Sequence, residues 1–183
     1  MAGALGIREP AQEKEVNPPD NTRFLNMSVK PEVGAKAPQF TAVAVGGEFG
    51  EGAEVSLKDL KGETIVLYFY PKDSTPGCTT QACDLRDNWA AVSAKAKVFG
   101  VSIDSAKSHQ KFIDKQQLPF PLLSDPEKTI VEAYGLWVEK KMYGRTYMGT
   151  ERSTFVIGPD QKILAVFEKV KPKEHAARLL EVL

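Results

Sequence analysis

Two cysteines occur in 183 residues, and both lie in one stretch, Tyr70-Pro71-Lys72-Asp73-Ser74-Thr75-Pro76-Gly77-Cys78-Thr79-Thr80-Gln81-Ala82-Cys83. A thiol acts as a nucleophile only as the thiolate, so the chemistry depends on what would stabilise negative charge there. Thr75 has the residue type of a helix N-cap, and Pro76 suits the first helical position. Such a start puts Gly77 and Cys78 in the first turn, where backbone N–H groups have no intrahelical partner. Those groups and the helix dipole favour a thiolate at Cys78 and raise its reactivity. Cys83 follows five residues on, about 7.5 Å along a helix axis and about 140° around it. A disulfide needs Cα atoms within about 7 Å, so if these two residues bond, the first turns must unwind. The spacing suits a bond that comes and goes, not a structural staple.

Nothing nearby in sequence completes a cysteine–histidine pair. His109 shares a helical face with Ala106, Phe112 and Ile113, which reads as a packed or lip position. His175 stands beside charged residues in the last helix and reads as solvated. The cysteines lack C-x-x-C spacing and the histidines are far apart, so no metal and no cofactor is predicted. Without a base, a thiolate at Cys78 would rest on the helix terminus, a hydroxyl and a cation. Thr75 can be that hydroxyl, because its O–H can donate to sulfur while a lone pair accepts the capping N–H. Lys72 and Arg86 are the cations nearest in sequence, and spacing does not choose among the rest.

The elements that would hold this stretch can be read around it. Ile65 to Tyr70 is apolar or aromatic throughout, as in a strand buried on both faces, and in open α/β sheets ligand sites form beyond such a strand's C-terminal end. The helix from Pro76 places Ala82, Leu85, Trp89 and Val92 on one stripe against the sheet. Upstream, Phe40 to Val45 reads as a strand and Gly46 to Gly52 as a turn that lacks the ending of a phosphate loop. Ser56 and Asp59 form a capping-box pattern for a short helical turn ended by Gly62. Downstream, Val98 to Ile103 and Phe120 to Leu123 are strands, Ser105 to Gln116 is a helix, and Asp125 caps a helix carrying Ile130, Val131 and Tyr134. Trp137 to Met148 reads as a β-hairpin, Ser153 to Ile157 and Ile163 to Phe167 as two strands, and Pro172 opens a last helix. The pattern predicts one α/β domain with a mixed sheet flanked by helices.

Residues 1–33 are polar and proline-rich and predict a flexible extension before a domain spanning residues 34–183, although Phe24, Leu25 and Met27 could dock on that domain. Lysine plus arginine and aspartate plus glutamate number 24 each, which favours neither nucleic acid nor an anionic membrane. No apolar run approaches a membrane span and the first residues do not read as a secretory signal, so with so few cysteines a cytoplasmic location is expected.

At Pro71-x-x-x-Thr75-x-x-Cys78 the chain resembles the peroxiredoxins, and Thr79-Thr80-Gln81-Ala82-Cys83-Asp84-Leu85-Arg86-Asp87 resembles their bacterioferritin comigratory protein (Q-type) branch. The similarity runs from about Gly34 to the C-terminus and includes Lys140 to Arg145 and Glu151 to Ile157. It implies a thioredoxin-like fold and thiol-dependent reduction of hydrogen peroxide and organic hydroperoxides. Cys78 matches the peroxidatic cysteine, Cys83 the resolving cysteine, Pro71 the residue that shields the pocket, Thr75 the hydroxyl partner, and Arg152 a distant arginine that completes the site. The resemblance also implies an intramolecular Cys78–Cys83 disulfide recycled by thioredoxin or a similar dithiol, with a monomer expected and a dimer as the alternative. No cysteine follows Cys83, which excludes a resolving cysteine near a partner's C-terminus. The family start would fall near Met27, so residues 1–26 are expected to be dispensable or translation to begin at Met27. A thioredoxin-like dithiol–disulfide oxidoreductase is the competing reading, but it would need C-x-x-C spacing. A non-enzymatic holdase has no support beyond the N-terminal segment.

Overall fold

The computed structural model describes residues 29–183. The expectations for Phe24, Leu25 and a start at Met27 lie outside the described residues. Within residues 29–33, the Lys30 ammonium reaches Glu151 at 2.5 Å and Glu168 at 2.9 Å.

Apolar strands of mixed direction build a seven-stranded sheet of order β2-β1-β5-β4-β3-β8-β9, formed by β1 (Thr41–Val45), β2 (Ala53–Ser56), β3 (Ile65–Phe69), β4 (Lys97–Ser102), β5 (Leu122–Ser124), β8 (Ser153–Ile157) and β9 (Ile163–Glu168). Between β5 and β8 the chain forms a separate hairpin, β6 (Trp137–Met142) and β7 (Arg145–Thr150), as its alternation predicted. The unbroken apolar run becomes β3, parallel to β4 on one side and antiparallel to β8 on the other. It shows no alternation because both of its faces are covered. Val66, Tyr68 and Tyr70 point into one core with Cys78, Leu85 and Leu179, whereas Ile65, Leu67 and Phe69 point into the other with Ile130, Tyr134 and Phe155. The first core is roofed by α1 (Pro76–Asp87), α2 (Trp89–Ser93), α3 (Ala106–Gln116) and α5 (His175–Leu180), and the second by α4 (Thr129–Ala133).

One strand was not foreseen, and two local expectations need correction. The turn after β1 leads directly into β2, which pairs back antiparallel on β1, so residues 53–56 are strand. Ser56 consequently ends a strand, its hydroxyl meets that of Thr41, and no capping bond forms over the following 3-10 turn. The helix that begins at Pro76 breaks at Asn88, whose side chain takes the Asp84 carbonyl, although Ala82, Leu85 and Val92 are all buried as the stripe required. Asp125, by contrast, accepts the N–H groups of Ile130 and Val131 as a cap should.

Candidate active site

The strand β3 delivers the chain to a loop, residues 70–75, that is tied down by one buried carboxylate. Asp73 accepts the Tyr70 hydroxyl at 2.7 Å and the Ser108 hydroxyl at 2.7 Å, and lies 2.9 Å from His109 Nδ1. Burial alone would raise the Asp73 carboxyl, but bonds from His109, Tyr70 and Ser108 hold it below the ordinary carboxylate range. His109 Nε2 donates to the Leu123 carbonyl at 3.1 Å, so the packed histidine joins this loop to α3 and β5. Pro71 forms the bend after β3 and is half-buried, and Ser74 takes a left-handed backbone, φ 59°, just before Thr75.

Thr75 stands at the N-cap of α1, with its carbonyl accepting the Thr79 N–H at 2.9 Å. Its hydroxyl does not cap the helix as expected but donates to the Lys72 carbonyl at 2.9 Å. The reason is local: the tight turn through Ser74 folds the Lys72 carbonyl back onto the threonine. Gly77 and Cys78 retain the open N–H groups of a first helical turn.

Cys78 is 2% exposed, at the base of α1 beside the sheet. Arg152 Nη2 lies 3.3 Å from its Sγ. Arg152 directly precedes β8, which pairs with β3, so a residue 74 positions away in sequence reaches the sulfur through the sheet. The cations nearest in sequence do not: Lys72 is exposed, and Arg86 donates to the Gln116 carbonyl at 2.7 Å. Arg152 Nη1 donates to Gln81 Oε1. Gln81 Nε2 then meets His175 Nδ1 at 3.1 Å, and His175 Nε2 meets Thr154 Oγ1 at 2.9 Å. His175 is therefore fully buried, which corrects the expectation of a solvated side chain. It falls beside Ala176 and four residues before Leu179 on the face of α5 that packs on α1, so helical spacing carried the signal and the charged neighbours masked it. Burial first, then the charges of Arg152 and Arg178, lower its ring to about 3. Gln81, His175 and Thr154 were not among the site residues foreseen.

Cys83 lies farther along α1, half-buried, its thiol 3.6 Å from Gln116 Oε1 at the end of α3. Both cysteines are free and the intervening helix is intact. Beside Arg152 a cleft of about 450 Å3 opens, lined also by Lys140, Glu151, Lys169 and Val170. Burial, then the nearby Arg152 charge, lowers the Lys140 ammonium from its ordinary value. Among the described residues, no three His, Cys, Asp or Glu side chains are grouped to hold a metal ion.

The mixed sheet is thioredoxin-like, and its relatives and solved neighbours are peroxiredoxins, which makes the chain a thiol-dependent peroxidase. The chain belongs to the AhpC/TSA family, whose model matches residues 33–166, and within it to the peroxiredoxins of the bacterioferritin comigratory protein (Q-type) branch. It is 49% identical over 150 residues to a putative peroxiredoxin bcp of Coxiella burnetii, covering 81% of this chain and 96% of that one. It is 48% identical over 153 residues to peroxiredoxin Bcp of Bacillus subtilis, covering 83% and 94%. Among solved structures, PrxQ of Xylella fastidiosa superposes with a TM-score of 0.76 at 33% identity, over 84% of this chain and 96% of that one. The bacterioferritin comigratory protein of Xanthomonas campestris gives 0.70 at 38% identity, over 78% and 88%.

Proposed function

We propose that Cys78 is the peroxidatic cysteine of a two-cysteine peroxidase acting on hydrogen peroxide and organic hydroperoxides. The observation that carries the reading is Arg152 Nη2 at 3.3 Å from a buried sulfur in the first turn of α1. The Cys78 thiolate attacks one peroxide oxygen, the O–O bond breaks, and the departing oxygen leaves as hydroxide or alkoxide and takes up a proton. Arg152 and the open N–H groups of Gly77 and Cys78 stabilise that leaving charge. The Thr75 hydroxyl, already donating to the Lys72 carbonyl, has lone pairs to accept the peroxide O–H. Pro71 shields the pocket from water.

Cys78 is left as a sulfenic acid. Cys83 then attacks its sulfur, water leaves, and an intramolecular disulfide forms once the first turns of α1 have unwound. An external dithiol, thioredoxin in this reading, reduces that bond by exchange. The test follows peroxide consumption with thioredoxin, thioredoxin reductase and NADPH. Cys78→Ser is expected to abolish reduction at every stage. Cys83→Ser is expected to complete one turnover and then stall. Full activity in Cys78→Ser would falsify the assignment, and equal cycling by both variants rules out the disulfide step.

A further inference from the structure

The guanidinium at Cys78 is held by a chain of side chains that ends in the last helix. Arg152 can only donate hydrogen bonds, so the end of Gln81 that faces its Nη1 must be the carbonyl oxygen. The two ends of a glutamine amide are nearly the same size, so hydrogen bonding decides which way it points. With the oxygen on Arg152, the Gln81 NH2 faces His175 Nδ1 at 3.1 Å, and that nitrogen must carry a lone pair. The ring proton then sits on Nε2 and is donated to Thr154 Oγ1 at 2.9 Å. Thr154 lies in β8 and Arg152 just before it, and their contacts with His175 and Cys78 bring both to the side of the sheet that α1 covers. The Tyr68 ring meets the imidazole edge-on at 5.6 Å between centroids and fixes its plane.

We infer that His175 is a positioning residue of the peroxidase site: as the Nε2–H tautomer it anchors the Gln81 amide, so that Gln81 holds Arg152 against the Cys78 sulfur. This rests on Cys78 being the peroxidatic residue. The Gln81–His175 and His175–Thr154 bonds are buried, with Gln81 and His175 0% exposed, so water cannot substitute for either, whereas Arg152 itself is half-buried at the edge of its cleft. An imidazolium at 175 would present a proton to the Gln81 NH2 and turn the amide over, setting donor against donor at Arg152. The ring's descent to about 3 keeps it neutral across the working range. Without an acceptor at Nδ1, the Gln81 NH2 is stranded in the core, and the glutamine leaves Arg152 to find one.

Two substitutions separate positioning from packing. His175→Asn can place an amide oxygen where Nδ1 stands, whereas His175→Leu fills the space with no acceptor. Oxidation of Cys78 by hydrogen peroxide would be followed in single turnover by sulfenate trapping, with Cys78→Ser alongside as the check on the peroxidase reading itself. His175→Leu is expected to slow oxidation about tenfold or more, and His175→Asn to stay within about threefold of wild type. Equal slowing by both, or no slowing by His175→Leu, overturns the inference while leaving the role of Cys78 standing. Nitrogen-15 spectra of the wild-type imidazole supply a readout that needs no variant. They should show His175 protonated on Nε2 and bare on Nδ1 at neutral pH, and a proton on Nδ1 overturns the inference.

Discussion

Arg152 carries a permanent positive charge, so in the proposed reaction whatever holds it in place also sets how well the site receives a departing oxyanion. Gly77 is part of that arrangement. A Cβ there would stand 3.3 Å from Arg152 Nη2 and 3.9 Å from Pro172 Cγ, so a side chain at this position would push the guanidinium by a few tenths of an ångström. Alanine suits a helix better by up to about 1 kcal/mol. Gly77→Ala is therefore expected to keep or raise the melting temperature while slowing Cys78 oxidation on the order of tenfold, about 1.4 kcal/mol of lost transition-state stabilisation. Melting curves and single-turnover rates on the same sample check this. Slow oxidation with a lowered melting temperature would point instead to general damage.

In the proposed cycle the element under tension is α1, which would be folded for peroxide attack and opened for disulfide formation. Its two halves are secured differently. In the later half Leu85 is fully buried, Arg86 binds the end of α3, and the Asp84 carboxylate accepts the Ala176 N–H at 2.8 Å. The first turn begins at a threonine that makes no side-chain cap and includes a glycine, a combination that weakens a helix start. Opening should then be confined to the start. Hydrogen exchange of the oxidised protein is expected to quicken at residues 79–82 by on the order of tenfold or more, with residues 84–87 little changed. Uniform loss of protection along α1 would count against a local opening.

At the scale of the whole molecule, His175 couples the site to global stability. Around it stand Arg152 before β8, Arg178 on α5, Asp84 on α1 and Tyr68 on β3. The unfolded imidazole takes up a proton below about 6.5, whereas the buried ring stays neutral down to about 3. Stability therefore falls with pH through that window, because the unfolded chain binds the proton first. The loss between pH 7 and pH 5 is expected to be about 2 kcal/mol. Asp73, held low, adds its own loss only further into acid, once its carboxylate protonates. Urea midpoints at the two pH values should show the slope in wild type and a flatter one in His175→Asn. Equal slopes would mean that the folded ring titrates normally.

Local signals determined much of this protein. Unbroken apolar residues marked β3, proline after threonine marked the start of α1, loose alternation marked the β6–β7 hairpin, and the turn signal Gly158-Pro159-Asp160-Gln161 between two short runs marked β8 and β9, because these features depend on neighbours in sequence. The short strand β2 escaped, since four residues after a glycine-rich turn carry too little periodicity to stand out. At the site, Cys78 and Thr75 were legible from helix geometry, and Arg152 only through its likeness to a family. Which hydroxyl bonds which carbonyl was decided by tertiary structure alone, no local spacing singled out the cation that meets the sulfur, and the burial of a histidine amid charged residues left only a faint trace in helical spacing. Sheet order brings residue 152 beside residue 78, and the docking of α5 completes the chain from Thr154 to Cys78. Such contacts join side chains tens of residues apart, and no local pattern records them.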